Sequence, residues 1–176
     1  MFKHILAFFL KFINPHKPLG TVLFNAIAKV SVSVAFEAVA LRRNRETEEL
    51  EVYLVRRAPD DSAYPGQWHV PGSILRPAEK DEHVLVRLGK REFGTKITHS
   101  KFVAMVSYPR EARGHFISLV YRVRLEGEPS ENGKWFPVDK LPSNIVSHHK
   151  TYIIPLAVNH KKFSDIENVK VKTLEA

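Results

Sequence analysis

The sequence predicts a single α/β domain, a mixed sheet between helical layers, and three observations predict it. Apolar and polar residues alternate with a period of two over 32–40 and 50–57, and strand-like segments recur over 101–108 and 115–125. Val84, Leu85 and Leu88 sit at helical spacing, and helical patterns also occur towards both ends of the chain. Polar turns separate these segments, and 176 residues with 44% hydrophobic content suit one core with an appended element.

At the N-terminal end, Phe2, Ile5, Leu6, Phe9, Phe12 and Ile13 follow helical spacing within Met1 to Ile13. The apolar stretch ILAFFL ends at Lys11, well short of the roughly 20 residues a membrane span needs. No small-residue cleavage site follows, so a secretory signal is not expected. The segment reads as an amphipathic helix that packs on its own domain or on a partner subunit, as in a homodimer. A weak membrane-surface contact, with Lys3, Lys11 and Lys17 towards headgroups, is the alternative.

Pro15 and the Pro18-Leu19-Gly20 turn stop this helix, and Thr21 is expected to cap a second one through Ala28. Val32, Val34, Phe36, Ala38 and Ala40 then form the deeper side of a first strand, with Ser33, Ala35 and Glu37 on the shallower side. After a charged turn a second strand runs from Leu50 to Arg57, and the loop 58–67 delivers the chain to Trp68. Trp68 to Gly94 comprises a short strand, a turn at Pro71-Gly72, a polar loop and a helix from Asp81 to Phe93. Two strands joined by the turn 109–114 follow, then the polar loop 127–134 and a short strand from Trp135 to Val138. Ser147 is expected to cap a last helix through Phe163, interrupted at Pro155. This divides the chain into an extension 1–30, a domain 31–163 and a tail 164–176.

Lys and Arg number 27 against 19 Asp and Glu, a net charge of +8 that favours an anionic partner. The basic residues are scattered in ones and twos, as on a solvated surface. The absence of cysteine excludes a disulfide framework, a thiolate metal site and a cysteine nucleophile, and it fits a reducing, cytoplasmic setting.

The chemistry concentrates on the helix from Asp81, where positions 88, 91 and 92 share a face bordering the apolar stripe. The stretch resembles the Nudix hydrolase signature, G-x5-E-x7-R-E-U-x-E-E-x-G-U with U a bulky apolar residue. Laid on that pattern the chain has Ser73 for the first glycine, then Glu79, Arg87, Glu92 and Gly94 in register. Leu88 and Arg91 replace two glutamates, and Gly89 and Thr95 replace the two apolar residues. The lead-in Trp68 to Gly72, WHVPG, is also similar to the family's. The resemblance spans about Val32 to Phe163 and implies a Nudix-like α/β/α sandwich with a mixed sheet. It further implies Mg²⁺, a hard cation that joins carboxylate oxygens to substrate phosphates.

Arg87 to Gly94 and the strand His115 to Leu125 are similar to one branch, the GDP-mannose mannosyl hydrolases. That resemblance implies attack at the sugar's anomeric carbon with inversion, where the metal need only stabilise the departing diphosphate. Where that branch carries a metal-binding glutamine and a general-base histidine, this chain reads Glu128-Pro129-Ser130-Glu131-Asn132. Carried over residue by residue, Glu92 and the carbonyl of Gly72 hold the metal. Glu131 or Glu128 is the base or a ligand, with an ordinary loop carboxylate as the equal alternative. From the residues themselves, Arg57 and Arg91 are expected to meet phosphate, with a solvated strand end as the alternative for Arg57; Trp68 is expected to stack on a base, with core packing as the alternative; and Arg87 is expected to tie the loop to the helix through Glu79, with substrate contact as the lesser alternative. Tyr64 and Tyr108 are candidates to stack on a base, and His148 and His149 to supply the missing base if the last helix folds over the cleft.

The expectation is therefore a Nudix-type hydrolase with an incomplete metal site, acting with Mg²⁺ on a nucleoside diphosphate derivative such as a nucleotide sugar. The alternative is a catalytically inactive module that binds a nucleotide or mediates protein interaction. The expected partner is a nucleotide-derived small molecule, and no nucleic acid is expected.

Overall fold

A computed structural model describes residues 2–159 of the chain. The end of the last predicted helix, 160–163, and the tail 164–176 lie outside the described residues. Two short helices come first, α1 (Phe2–Leu10) and α2 (Thr21–Ala28). Gly20, at φ 75°, occupies the cap position expected for Thr21, which becomes the first helical residue.

The sheet is built around β1 (Val32–Arg43). One edge of β1 pairs in parallel with β6 (Gly114–Leu125), from Val32 opposite His115 to Ala40 opposite Val123. β6 in turn pairs antiparallel with β5 (Ile97–Glu111), which is longer than the predicted strand. The other edge of β1 is shared: β4 (Gly72–Ile74) covers 35–37, and β2 (Leu50–Arg56) covers 41–43, both antiparallel. β2 also carries β3 (Trp68–His69) and β7 (Gly133–Pro137), which completes a seven-stranded mixed sheet.

Helices cover both faces of that sheet. Phe36, Ala38 and Ala40 pack with Val84, Leu85 and Leu88 of α3 (Asp81–Leu88). Val39 packs with Ile153, Ile154 and Ala157, where a π-helical turn (His149–Ile153) leads into α4 (Ile154–Asn159). The side of β1 expected to be shallower is therefore enclosed at its centre: Ala35, Glu37 and Val39 are all buried. Alternation within a strand reports one covered face, whereas here the closing helix arrives from more than a hundred positions away.

The helix predicted over 81–93 is two elements. α3 ends at Leu88 and continues as a π-helical turn (Gly89–Phe93), so that Leu88 and Phe93 are both fully buried although five residues apart. Gly89 faces the start of β5, where a Cβ would lie 2.8 Å from the Thr95 carbonyl oxygen. A bulky apolar side chain has no room at that position. Gly94, in the left-handed region at φ 64°, ends the turn against the Cβ of Ser130.

α1 buries none of its side chains, contrary to the expectation that it packs on its own domain. Only its end approaches the sheet: Leu10 and Ile13 line a groove of about 930 Å³ shared with Phe24, Ile27, Val34 and Leu75. Among the described residues no helix is long and apolar enough to cross a membrane.

Candidate functional site

A cleft forms where β1, β4 and β6 meet the start of the last helix, and Glu37 lies on its floor. The Glu37 side chain is only 7% exposed as a residue, accepts a long hydrogen bond from the Ser118 hydroxyl (3.5 Å), and leaves Oε2 without a hydrogen-bond partner. Burial pushes its pKa up to about 8, against the opposing pull of Arg57 and the Ser118 bond. β4 runs so close that a Cβ on Gly72 would lie 2.6 Å from Oε2 and 3.0 Å from the Phe36 carbonyl oxygen.

Three histidines and two tyrosines complete the walls. His149 accepts a hydrogen bond at Nδ1 from the Val70 backbone N–H (2.9 Å), so the proton of its neutral form is on Nε2, 3.9 Å from Glu37 Oε2. That separation meets the distance of an ion pair, but burial holds His149 well below the usual imidazole range, reinforced by His148, His69 and Arg57. With Glu37 raised and His149 lowered, the contact at neutral pH joins two neutral groups. Burial, with Arg57 as second cause, likewise pushes His69 down to about 3. The ring of His148 lies 4.8 Å from Tyr108 and 6.0 Å from Tyr64, and the buried Tyr108 hydroxyl has no hydrogen-bond partner.

The cations of the cleft are held by one acid. Asp61 receives Arg57 at 2.9 Å and Arg113 at 2.7 Å, and its carboxyl lies well below the usual range. Its own desolvation opposes this; hydrogen bonds from Arg57 and from the Tyr64 and Ala63 amides outweigh it. Arg57 Nε and Arg113 Nε are buried and have no hydrogen-bond partner among the described residues.

On the box helix, Arg87 forks onto Glu79 at 3.0 and 2.7 Å, and also donates to Ser73 Oγ and to the Ile74 carbonyl at 3.1 Å. The geometry thus gives Arg87 a loop-to-helix tie that engages both Glu79 oxygens. Glu92 is different: half-buried, it has no hydrogen bond or ion pair among the described residues. Burial raises its pKa, opposed by Arg91, Arg57 and Arg87. Arg57 thus acts electrostatically on both Glu37 and Glu92. Arg91 is exposed and lines the groove beside α1 and α2, together with Arg87.

The loop 127–134 is stitched to the end of the box helix. The Ser130 amide donates to the Phe93 carbonyl (2.7 Å), and the Tyr53 hydroxyl donates to the Ser130 carbonyl (2.7 Å). Glu131 is exposed next to this stitch. Glu128 points elsewhere, bonded to Arg42 at 2.9 Å and to the Trp135 indole N–H at 3.3 Å. Trp68 packs edge-on against Phe136 (5.0 Å), beside the second core cluster.

The structure therefore gathers Arg57, Gly72, Tyr64, Tyr108, His148 and His149 at one cleft, leaves Glu92 outside its lining but under the electrostatic influence of Arg57, and leaves Trp68 and Glu128 in other contacts. Sequence reasoning missed Glu37, His69, Glu111 and Arg113 as lining residues. For Glu37 a signal existed, a carboxylate within the apolar run 34–41. Among the described residues no three His, Cys, Asp or Glu side chains cluster as a metal site. Among the described residues Glu92, an unpaired, half-buried carboxylate whose charge a cation would compensate, suits a metal; Mg²⁺ commonly takes one or two carboxylates and completes its shell with water and substrate phosphates.

The sequence pattern of the NUDIX domain matches residues 34–156. Comparison with curated proteins finds no match. Among solved structures the chain is similar to a MutT NUDIX hydrolase from Burkholderia pseudomallei (23% identity, TM-score 0.57, covering 72% of this chain and 97% of that one). It is also similar to the NUDIX domain of Shewanella oneidensis NrtR complexed with ADP ribose (18%, 0.59, 86% and 96%). A third similar structure is the C-terminal domain of mouse MUTYH in complex with human PCNA (19%, 0.58, 73% and 88%). At these identities the likeness establishes the fold.

Proposed function

The chain belongs to the NUDIX domain family, across residues 34–156, and on that premise we propose that it is a Nudix-type hydrolase acting with Mg²⁺ on a nucleoside diphosphate derivative, a nucleotide sugar being one candidate. The observation that carries this reading is Glu92: a half-buried carboxylate left without a partner among the described residues and under the electrostatic pull of Arg91, Arg57 and Arg87. Glu92 and the carbonyl of Gly72 are the groups that would hold the metal. When bound, Mg²⁺ supplies charge neutralisation for the departing diphosphate.

The chain's own side chains supply the rest. Arg57, which lines the cleft, and Arg91, which lines the groove beside α1 and α2, are the cations that would meet phosphate oxygens. The Tyr108 and His148 rings, 4.8 Å apart, offer faces on which a base can stack. Glu131 is the carboxylate of the 127–134 loop left free to activate water, since Glu128 is engaged by Arg42. ADP ribose, named in the complex of the similar Shewanella domain, is itself a nucleoside diphosphate sugar, which supports the substrate class.

Incubation with a panel of nucleotide sugars and dinucleotides should release a nucleotide only when Mg²⁺ is present. Glu92→Gln should lower that turnover by at least about a hundredfold, in line with loss of charge stabilisation in a reacting site. Unchanged turnover would overturn the metal assignment.

A second reading, a silent nucleotide-binding module, is favoured by one specific observation: Arg87 occupies both oxygens of Glu79, so that of the two glutamates in register with the signature, Glu79 and Glu92, one is left free. Calorimetry separates the two. Binding that persists in a chelator, with no turnover of any substrate, selects the module; binding that requires Mg²⁺ selects the enzyme.

A further inference from the structure

We propose that α1 docks the protein on an anionic lipid surface. Every side chain of α1 is free of the domain's core: Phe2, Ile5, Leu6, Phe8, Phe9 and Leu10 are between 41% and 76% exposed. At 3.6 residues per turn these six span about 200° of the helix circumference, and Lys3, His4 and Ala7 occupy the remainder. A helix that packs on a protein neighbour needs a stripe of only about 100°, and a paired-helix seam less. An arc twice that width fits a helix half-sunk into a plane, with its polar strip towards water.

Charge selects the lipid. Residues 1–36 contain Lys3, Lys11, Lys17 and Lys29 and no aspartate or glutamate. Pairing α1 with a second copy would bring these like charges together, whereas an anionic headgroup layer neutralises them. A nine-residue helix alone binds a bilayer weakly, so the apolar arc and the lysines act as the two signals that stable attachment requires. Phe12, 74% exposed just beyond α1, extends the apolar surface to the point where the chain turns back to the domain.

The test is flotation of the full chain with vesicles of phosphatidylcholine, with and without phosphatidylglycerol, at low and high salt. The wild type should float with the anionic vesicles at least about tenfold more than with the neutral ones, and less as salt rises. Phe8→Asp combined with Phe9→Asp, and separately Lys3→Glu combined with Lys11→Glu, should each lower flotation by at least about tenfold. Melting temperatures should stay unchanged, because these side chains are exposed. Flotation unaffected by either double variant, or absent in the wild type, overturns the proposal. So does lipid-free dimerisation in sedimentation velocity that Phe8→Asp with Phe9→Asp abolishes while vesicles recruit nothing, which would assign the face to a second copy.

Discussion

Glu79 on the box loop and Glu37 on the cleft floor are carboxyls of the same fold kept in opposite states. Glu79 is charged because Arg87 grips both of its oxygens, and its pKa falls despite its desolvation. Glu37 meets no cation at hydrogen-bond distance, and burial pushes it up to about 8. The difference teaches that the box commits Glu79 to architecture, while the floor keeps an acid proton in place through exclusion of water.

The largest effect should come from breaking the paired region. Arg87→Ala removes the fork and its bonds to Ser73 and Ile74, leaving a largely buried carboxylate alone. Chemical denaturation should register a loss of about 3–5 kcal/mol, and lysine should restore little, as it cannot reproduce the fork. A loss near zero would mean that Glu79 is not held by pairing.

The neutral region is sharpened by pH. A folded-state pKa of about 8 against an ordinary 4.5 means that the folded protein holds the Glu37 proton more tightly than the unfolded chain. Its contribution to stability is complete below pH 4.5 and is lost as pH rises towards 8. Unfolding free energies of wild type and Glu37→Gln, measured at both ends of that window, should diverge by on the order of 2–4 kcal/mol, with the wild type relatively weaker at the alkaline end. Parallel profiles would place a charged Glu37 on the floor.

The smallest effect tests how closely the walls meet. Gly72→Ala puts a methyl group 2.6 Å from Glu37 Oε2 and 3.0 Å from a backbone oxygen, so it should cost about 1–3 kcal/mol in a thermal melt. Adding Glu37→Ala should recover part of that loss and no more, since the Phe36 carbonyl stays.

The elements that carry their own pattern were legible in the sequence: β1, β2, β5, β6, β7 and the box helix, with Arg87, Glu92 and Gly94 in register. Tyr108, His148 and His149 were legible as candidates, conditional on the last helix closing the cleft. The state of Glu37 was not, because enclosure of its face depends on residues 149–157 returning across the sheet. The π-helical turn was equally hidden: α-helical spacing puts 88, 91 and 92 on one face, yet Leu88 is buried, Glu92 half-buried and Arg91 exposed. The engagement of Glu128 by Arg42 depends on pairing between distant strands, which loop composition does not encode.

Asp61 gives the cleft one further property. It already pairs with both Arg57, just past β2, and Arg113, in the turn between β5 and β6, one negative charge shared between two positive ones. On the proposed reading, an incoming phosphate competes with this resident carboxylate for the two guanidiniums, and its capture is in part an anion exchange. Exchange releases fewer ions to bulk solvent than simple addition does, so affinity at this point should depend on salt less steeply than two arginines would suggest, and the displaced carboxylate stays at hand to expel the product.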